Sequence, residues 1–351
     1  MTSYRYLFAD LQTGAVQAEL PLSGVSIQRL INGSGRISGS IPLSDSGVRK
    51  AFDEASTQPG RTSLTCLRNN EVLASGILWI RRYAFASSSV IFGASEWYSA
   101  LMRRKVASDH AWNAAATETA VSDLIADAQS GTNGSFGMTV TGATGTTVTA
   151  SVISADRQWA GGAIEGLLSA AGVDYETNAS YSGTLITPYI ALGSPQLGRT
   201  GLVSGLTVAE PIDGEWVEDA TEWATRVIAS SNGGGSTALT ATQSNAAALA
   251  DGFPRWDWEV ASGSDQSADA IAIAAASALA DRAPGGAFGP VTCRATDPDV
   301  SEIRLGDVTL ITLPPSERFP DGLSSEGRIT GWTLRPGESG GTDALTLEVL
   351  G

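Results

Sequence analysis

The stretch Leu305–Leu350 constrains the fold more than any other part of the chain. It reads LGDVTLITL, a loop PPSERFPDGLSSEG, then RITGWTLRP, a glycine-rich turn and DALTLEVL. In the last segment Leu345, Leu347 and Val349 fall on one face, with Thr346 and Glu348 on the other. That is the period-2 pattern of a half-buried strand. In the middle segment Trp332 and Leu334 share a face, and Gly331 marks a bulge or a close backbone approach. Three strands joined by these turns make a meander, the closing edge of a small antiparallel barrel or sandwich. Its core candidates are Trp332, Leu345 and Leu347.

A similar design stands earlier, in residues 75–97, SGILWIRRYAFASSSVIFGASEW. Ser75 and Gly76 open a strand carrying Trp79, Arg81 follows, and a polar turn leads into an apolar strand. Thr330, Gly331, Trp332 and Arg335 are the later counterparts, although the two tryptophans sit at different offsets from their glycines. Two readings stay open: an internal repeat, hence two related β-domains, or two ordinary hairpins. Under the first, Trp79 joins the core candidates.

Hairpin-like runs dominate from the start. YRYLFADLQ, AVQAELPL, VSIQRLI and RISGSIPL alternate between turns at Thr13-Gly14 and Gly33–Gly35. Val48, Ala51, Phe52 and Ala55 switch to helical spacing over 46–56, stopped by Pro59-Gly60. Strands follow at 62–68 and 71–85. From about residue 107 the texture changes. Val121, Leu124, Ile125 and Ala128 predict a helix ending at Gly131. FGMTVTGATGTTVTASV reads as a loose hairpin, and Ile164, Leu167, Leu168 and Ala171 predict a second helix with Gly172 as its terminal glycine. A chain of 351 residues holds two or three domains. The expected class is mainly β with α+β insertions: a first β-barrel domain with a short helix at 1–106, an inserted α+β domain at 107–204, and a second barrel domain at 205–351. The last carries an inserted helix at 266–282, capped by Ser264 or Asp265 and stopped by Pro284-Gly285. Asn232–Gly235 reads as a flexible turn.

Composition excludes several kinds of chemistry. The formal charge of −15 argues against nucleic-acid binding as the main activity and against anionic membrane surfaces. No apolar run has the length of a membrane span, and no secretory leader is evident. The single histidine, His110, stands beside Asp109, but no Gly-x-Ser-x-Gly elbow accompanies them, and a linker or helix-start histidine is the expectation. With two cysteines, Cys66 and Cys293, a His/Cys zinc centre is excluded, and Cys66 reads as a buried thiol. The densest carboxylate group is Asp213, Glu215, Glu218, Asp219 and Glu222; a paired-carboxylate hydrolase site or a calcium loop is conceivable there, a solvated acidic face the plainer reading. Trp256 and Trp258, two apart in one predicted strand, could stack a sugar or pack in a core. No catalytic residue, metal or cofactor is expected.

The opening YRYLFADLQTGAVQAELPLSGVSIQRLINGSGRISGSIPL, then SGILWIRR with WYSALMRR, LGSPQLGR, and finally RLGDVTLITL, RFPDGL and RITGWTL together resemble minor tail proteins of siphophages infecting actinobacteria. Such proteins are similar to the baseplate hub proteins of tailed phages. The resemblance implies a homotrimer in which each subunit gives two β-barrels to a pseudo-sixfold ring, adapting the hexameric tail tube to a threefold tip. It implies a place in the virion tail tip, with the distal tail protein ring, the tape measure protein and other minor tail or receptor-binding proteins as partners. The genome would pass through without specific binding, and the acidic cluster at 213–222 becomes a candidate channel lining. Relatives with a C-terminal hydrolase or fibre extend further; this sequence stops at Gly351, so lysis and receptor binding are expected of other proteins. The alternatives are a carbohydrate-binding receptor module and, behind it, a peptidoglycan hydrolase.

Overall fold

A computed structural model describes residues 2–194, 196–208, 211–231, 239–262, 268–296, 299–337 and 341–350. The chain separates into two compact units, residues 1–214 with 290–351 and residues 215–289.

The first unit begins with β1 (Tyr4–Asp10), β2 (Val16–Glu19), β3 (Ser23–Leu30) and β4 (Arg36–Pro42). The short α1 (Ser46–Ala51) leads to β5 (Thr62–Arg68), the long β6 (Glu71–Ala84) and β7 (Ser89–Glu96). Then come α2 (Tyr98–Leu101), β8 (His110–Ala116), α3 (Thr117–Ala128), β9 (Thr139–Thr141), β10 (Thr147–Val152) and α4 (Ala160–Ala171). A hairpin of β11 (Asp174–Tyr181) and β12 (Ile186–Gly193) precedes β13 (Leu202–Val208). The chain leaves this unit along β14 (Asp213–Val217).

The second unit holds β15 (Arg226–Ser231), β16 (Thr240–Ser244), α5 (Ala246–Ala250), β17 (Asp257–Ser262) and α6 (Ala268–Asp281). β15 pairs antiparallel with β16 and parallel with β17. Ile271, Ala275 and Ala278, at helical spacing on α6, bury against Ala224, Val227 and Ala229. β18 (Ala287–Arg294) returns the chain to the first unit, which ends with β19 (Val308–Leu313), β20 (Leu323–Arg335) and β21 (Ala344–Leu350).

Strands expected in two barrels belong to one hydrogen-bonded sheet of 13 strands. Its path runs β14-β18-β21-β20-β3-β4-β7-β6-β5-β1-β2, and β19 joins β20 to β13. The closing meander forms as its alternation dictates: β19 pairs β20, and β20 pairs β21, both antiparallel. The register shifts between Ile329 and Gly331, and a Cβ on Gly331 would stand 2.6 Å from the Leu30 side chain, so the glycine is both a bulge and a close approach. Trp332, Leu345 and Leu347 are buried. The earlier counterpart has the same local order: β6 lies between β5 and β7, with a register shift between Leu78 and Ile80. Both meanders flank the central pair β3-β4, and β3 pairs with β20 across the N- and C-terminal parts of the chain.

The helices at 117–128 and 160–171 bury the faces their spacing predicts: Val121, Leu124, Ile125 and Ala128, and Ile164, Leu167 and Leu168. Gly172 takes the left-handed conformation (φ 62°) that ends α4. These helices share one core with Leu7, Ile77, Trp97 and Leu101 of the sheet region and with Tyr175 and Ile190 of the β11-β12 hairpin.

Two local expectations fail. The helix expected over 46–56 stops at Ala51. The Asp53 carboxylate accepts hydrogen bonds from the backbone N–H of Ala55 (3.3 Å) and Ser56 (2.9 Å), closing a turn that competes with further helix. The hairpin expected over 136–152 does not form. β9 pairs parallel with β12 and β10 antiparallel with β8, so each short Thr-rich strand takes a distant partner. The Asn232–Gly235 turn and the Ser264 or Asp265 cap lie outside the described residues.

Candidate functional site: charged clasps between insertion and sheet

Alternation places two charges on faces that should be apolar. In β3 the buried positions are Val25, Ile27 and Arg29; in β7 they are Val90, Phe92, Ala94 and Glu96. The two charges meet. Arg29 Nε donates to Glu96 Oε1 at 2.9 Å, and Arg29 Nη2 donates to Glu176 Oε2 on β11 at 2.7 Å. The remaining donors reach the carbonyls of Thr177 (3.2 Å) and Leu73 (3.4 Å), and Glu96 Oε2 accepts from Gly35 N at 2.9 Å. Glu96 is fully buried. Burial pushes its carboxyl up from 4.5 to about 7, against the pull of Arg29 and the Gly35 N–H, with the nearby Glu176 adding to the rise. One guanidinium thus ties the sheet to the β11-β12 hairpin.

A second clasp joins the motifs LGSPQLGR and RLGD. Asp307, fully buried just before β19, accepts from Arg199 N (2.8 Å), Arg199 Nε (3.2 Å), Arg199 Nη2 (2.6 Å) and Arg304 N (3.0 Å). Burial alone would raise this carboxyl; the Arg199 guanidinium and the backbone donors outweigh it and hold it below its ordinary value. Glycines allow the close approach. A Cβ on Gly198 would stand 2.2 Å from Asp307 N, and one on Gly306 (φ +89°) would stand 2.6 Å from Gly198 N.

Arg328 of β20 completes the seam by pairing with Asp174 of β11. Asp174 also accepts from Asn32 Nδ2 (2.8 Å) and Leu197 N (3.2 Å), while Asn32 exchanges backbone and side-chain hydrogen bonds with Tyr175. Bidentate and charge-assisted contacts of this kind fix orientation as well as adding energy. Asp307→Asn, which keeps the size and loses the charge, is expected to cost about 1.5–3 kcal/mol in urea denaturation. An unchanged midpoint would show that the Arg199 contact is solvated.

None of these residues had been singled out as a site. The signals were present: a lone Arg29 and a lone Glu96 on apolar strand faces, and two glycine-bearing motifs carrying opposite charges.

The residues singled out from sequence lie elsewhere. Asp213 and Glu215 lie on β14, Glu218 and Asp219 in the link after it, and Glu222 in the 3-10 turn Ala220–Glu222, and all five are exposed. Asp219 caps that turn through Thr221, whose N–H and hydroxyl hold its carboxyl below the ordinary value. Glu218 accepts from Trp216 Nε1 at 3.1 Å. No group of three or more metal-ligating side chains occurs among the described residues. His110 opens β8 rather than a helix, its ring stacked on Trp112, with Nε2 3.8 Å from Asp127 and no hydrogen-bond partner there. Asp109 is turned away, accepting from the N–H and hydroxyl of Ser154. Trp256 precedes β17 and is exposed, whereas Trp258 is half-buried beneath the Arg282 guanidinium, 4.3 Å from its ring centre. The two indoles therefore present no shared bare platform. Trp79 is half-buried, its Nε1 donating to Ser99 at 2.9 Å. Cys66 and Cys293 are both buried, and burial pushes the Cys66 thiol up. No helix among the described residues is long and apolar enough to cross a membrane.

Comparison with known proteins finds no matching family model and no matching curated protein. Solved structures do match. The 43 kDa tail protein of prophage MuSo2 from Shewanella oneidensis superposes with a TM-score of 0.66 at 12% identity, covering 99% of this chain and 98% of that one. A tail protein from Neisseria meningitidis gives 0.65 at 10% identity, covering 98% and 96%. An Escherichia coli type VI secretion component, described as structurally similar to the T4 tail proteins gp27 and gp5, gives 0.52 at 11%, covering 98% and 76%. The fold is that of phage and prophage tail proteins.

Proposed function

We propose that the chain is a structural hub subunit of a siphophage-type tail tip, assembling as a homotrimer around the DNA path. The observation that carries this reading is coverage: tail-protein folds account for nearly all of this chain and nearly all of their own. Such a likeness is to a whole architecture rather than to a widely shared module. The two bulged meanders, β5-β6-β7 and β19-β20-β21, would supply the paired barrel elements of a pseudo-sixfold ring. The clasps suit a subunit that transmits load, because they join distant parts of the chain through charge-assisted bonds. The role needs no catalysis. Within a virion the contacts would be with the distal tail protein ring, the tape measure protein and other minor tail or receptor-binding proteins.

Three copies at −15 each carry about −45. An acidic lumen repels phosphate and lets a duplex slide, where a basic one would hold it through counterion release. The exposed segment 213–222 is the proposed lining. Light scattering of purified protein is expected to show a trimer at high concentration, negative-stain images a ring, and a low-salt gel no retardation of duplex DNA. Monomer at every concentration, with labelled virions showing the protein away from the tip, would sink the hub reading. Retarded DNA, or a channel lined mainly by arginine, would sink the sliding mechanism alone.

A further inference from the structure

One cavity in the first unit has a chemistry that a structural role does not require. It encloses about 410 Å³, within the range of small-molecule pockets. Arg61, Arg103 and Arg104 line it together with Trp79 and Phe136, and Asp10 is the one carboxylate among them. Asp10 is largely committed to its own turn: Oδ1 accepts from Gln12 N, Thr13 N and the Thr13 hydroxyl, and Oδ2 lies 3.7 Å from Arg61 Nε. The Arg103 guanidinium lies over the Trp79 ring, 4.1 Å from its centre, with no side-chain hydrogen bond or ion pair among the described residues; the backbone N donates to the Ala100 carbonyl at 2.9 Å. The indole beneath it is itself pinned by its bond to Ser99. The Arg104 side chain makes one long bond, 3.4 Å, to the Gly134 carbonyl, and has no carboxylate partner among the described residues.

In a chain with a net charge of −15, this pocket therefore concentrates arginines against a single carboxylate already in use. A guanidinium laid flat on an indole keeps its N–H edge directed outward, the edge that grips a carboxylate or phosphate through two parallel bonds. The rest of the wall is mixed: Phe136, which stacks on Trp97, and Leu11, Ile77 and Ala100 are apolar, while Gln12, Asn133 and Ser135 add polar groups.

We infer that this cavity binds an oxyanion, a phosphate monoester or a carboxylate, borne on a small and partly apolar molecule. All the lining residues belong to one chain. Titration calorimetry on the full chain tests it with phenyl phosphate, benzoate and the neutral benzyl alcohol. Binding of phenyl phosphate alone assigns a phosphate ester, and binding of benzoate assigns a carboxylate; the alcohol is expected to give no heat. In Arg103→Gln/Arg104→Gln the anion affinity is expected to fall by at least about tenfold. Arg49→Gln, an exposed arginine on α1, should leave it unchanged. If the double variant does not melt cooperatively, the single Arg103→Gln at its exposed position carries the same test. The inference is overturned if neither anion binds at about 10 mM, if the alcohol binds equally well, or if the folded arginine variants bind like the parent.

Discussion

Arg29→Met is expected to lower the unfolding free energy by about 3–5 kcal/mol near neutral pH, because it strands the buried Glu96 and the half-buried Glu176 without their cation. Glu96 would keep one bond, from Gly35 N, while facing Glu176 across the vacated space. The pH dependence gives the effect a signature. In the parent protein Glu96 binds its proton more tightly folded than unfolded, its carboxyl having moved from 4.5 to about 7. Its contribution is then full below 4.5 and is lost as pH rises through about 7. Without Arg29 the largest pull toward ionisation is gone, so the carboxyl should rise further and the decline in stability should steepen and extend above neutrality. Urea denaturation across this range measures both. A change under about 1 kcal/mol with an unaltered pH profile would mean that water reaches the cluster.

Trp332→Ala is expected to cost about 3–5 kcal/mol, the range for deleting a large aromatic side chain from a filled core. The ring is buried in β20, whose register sets it opposite Leu347 on one side and Arg29 on the other. Trp79→Ala in the other meander should cost less, since that indole is half-buried and rests against Arg103. Denaturation midpoints of the two variants compare the meanders directly. Equal costs would show that Trp332 sits in a looser core than its burial indicates.

Strands whose alternation is unbroken were legible from the residues. DALTLEVL and RISGSIPL need only a half-buried pleat, and they became β21 and β4; the 62–68 segment became β5, buried along its whole length. The same holds for α6, where Ile271, Ala275 and Ala278 can meet a surface only as a helix. Failures came where the local pattern was weak and a distant partner decided. The Thr- and Gly-rich run at 136–152 has no apolar face strong enough to fix its own pairing, and β12 and β8 captured its two strands. The clasps were hidden for a related reason. Arg29 and Glu176 are 147 positions apart, and Arg199 and Asp307 are 108 apart, so no spacing rule connects them. What could be read was the anomaly: a charge standing in a row of buried apolar positions.

The pairing of β3 with β20 has a consequence for synthesis. Trp332 aligns with Arg29, so β3 waits for a strand made about 300 residues later. At elongation rates of about 5–20 residues per second, that delay is roughly 15–60 s. Through that interval β4 can occupy one edge of β3, while the other remains an open row of donors and acceptors, the kind of edge that captures stray strands. A ribosome that stalls short of β20 releases a chain whose central sheet cannot be finished. Synthesis through β20 is thus checked by the fold itself, because a chain without it leaves one edge of β3 unpaired.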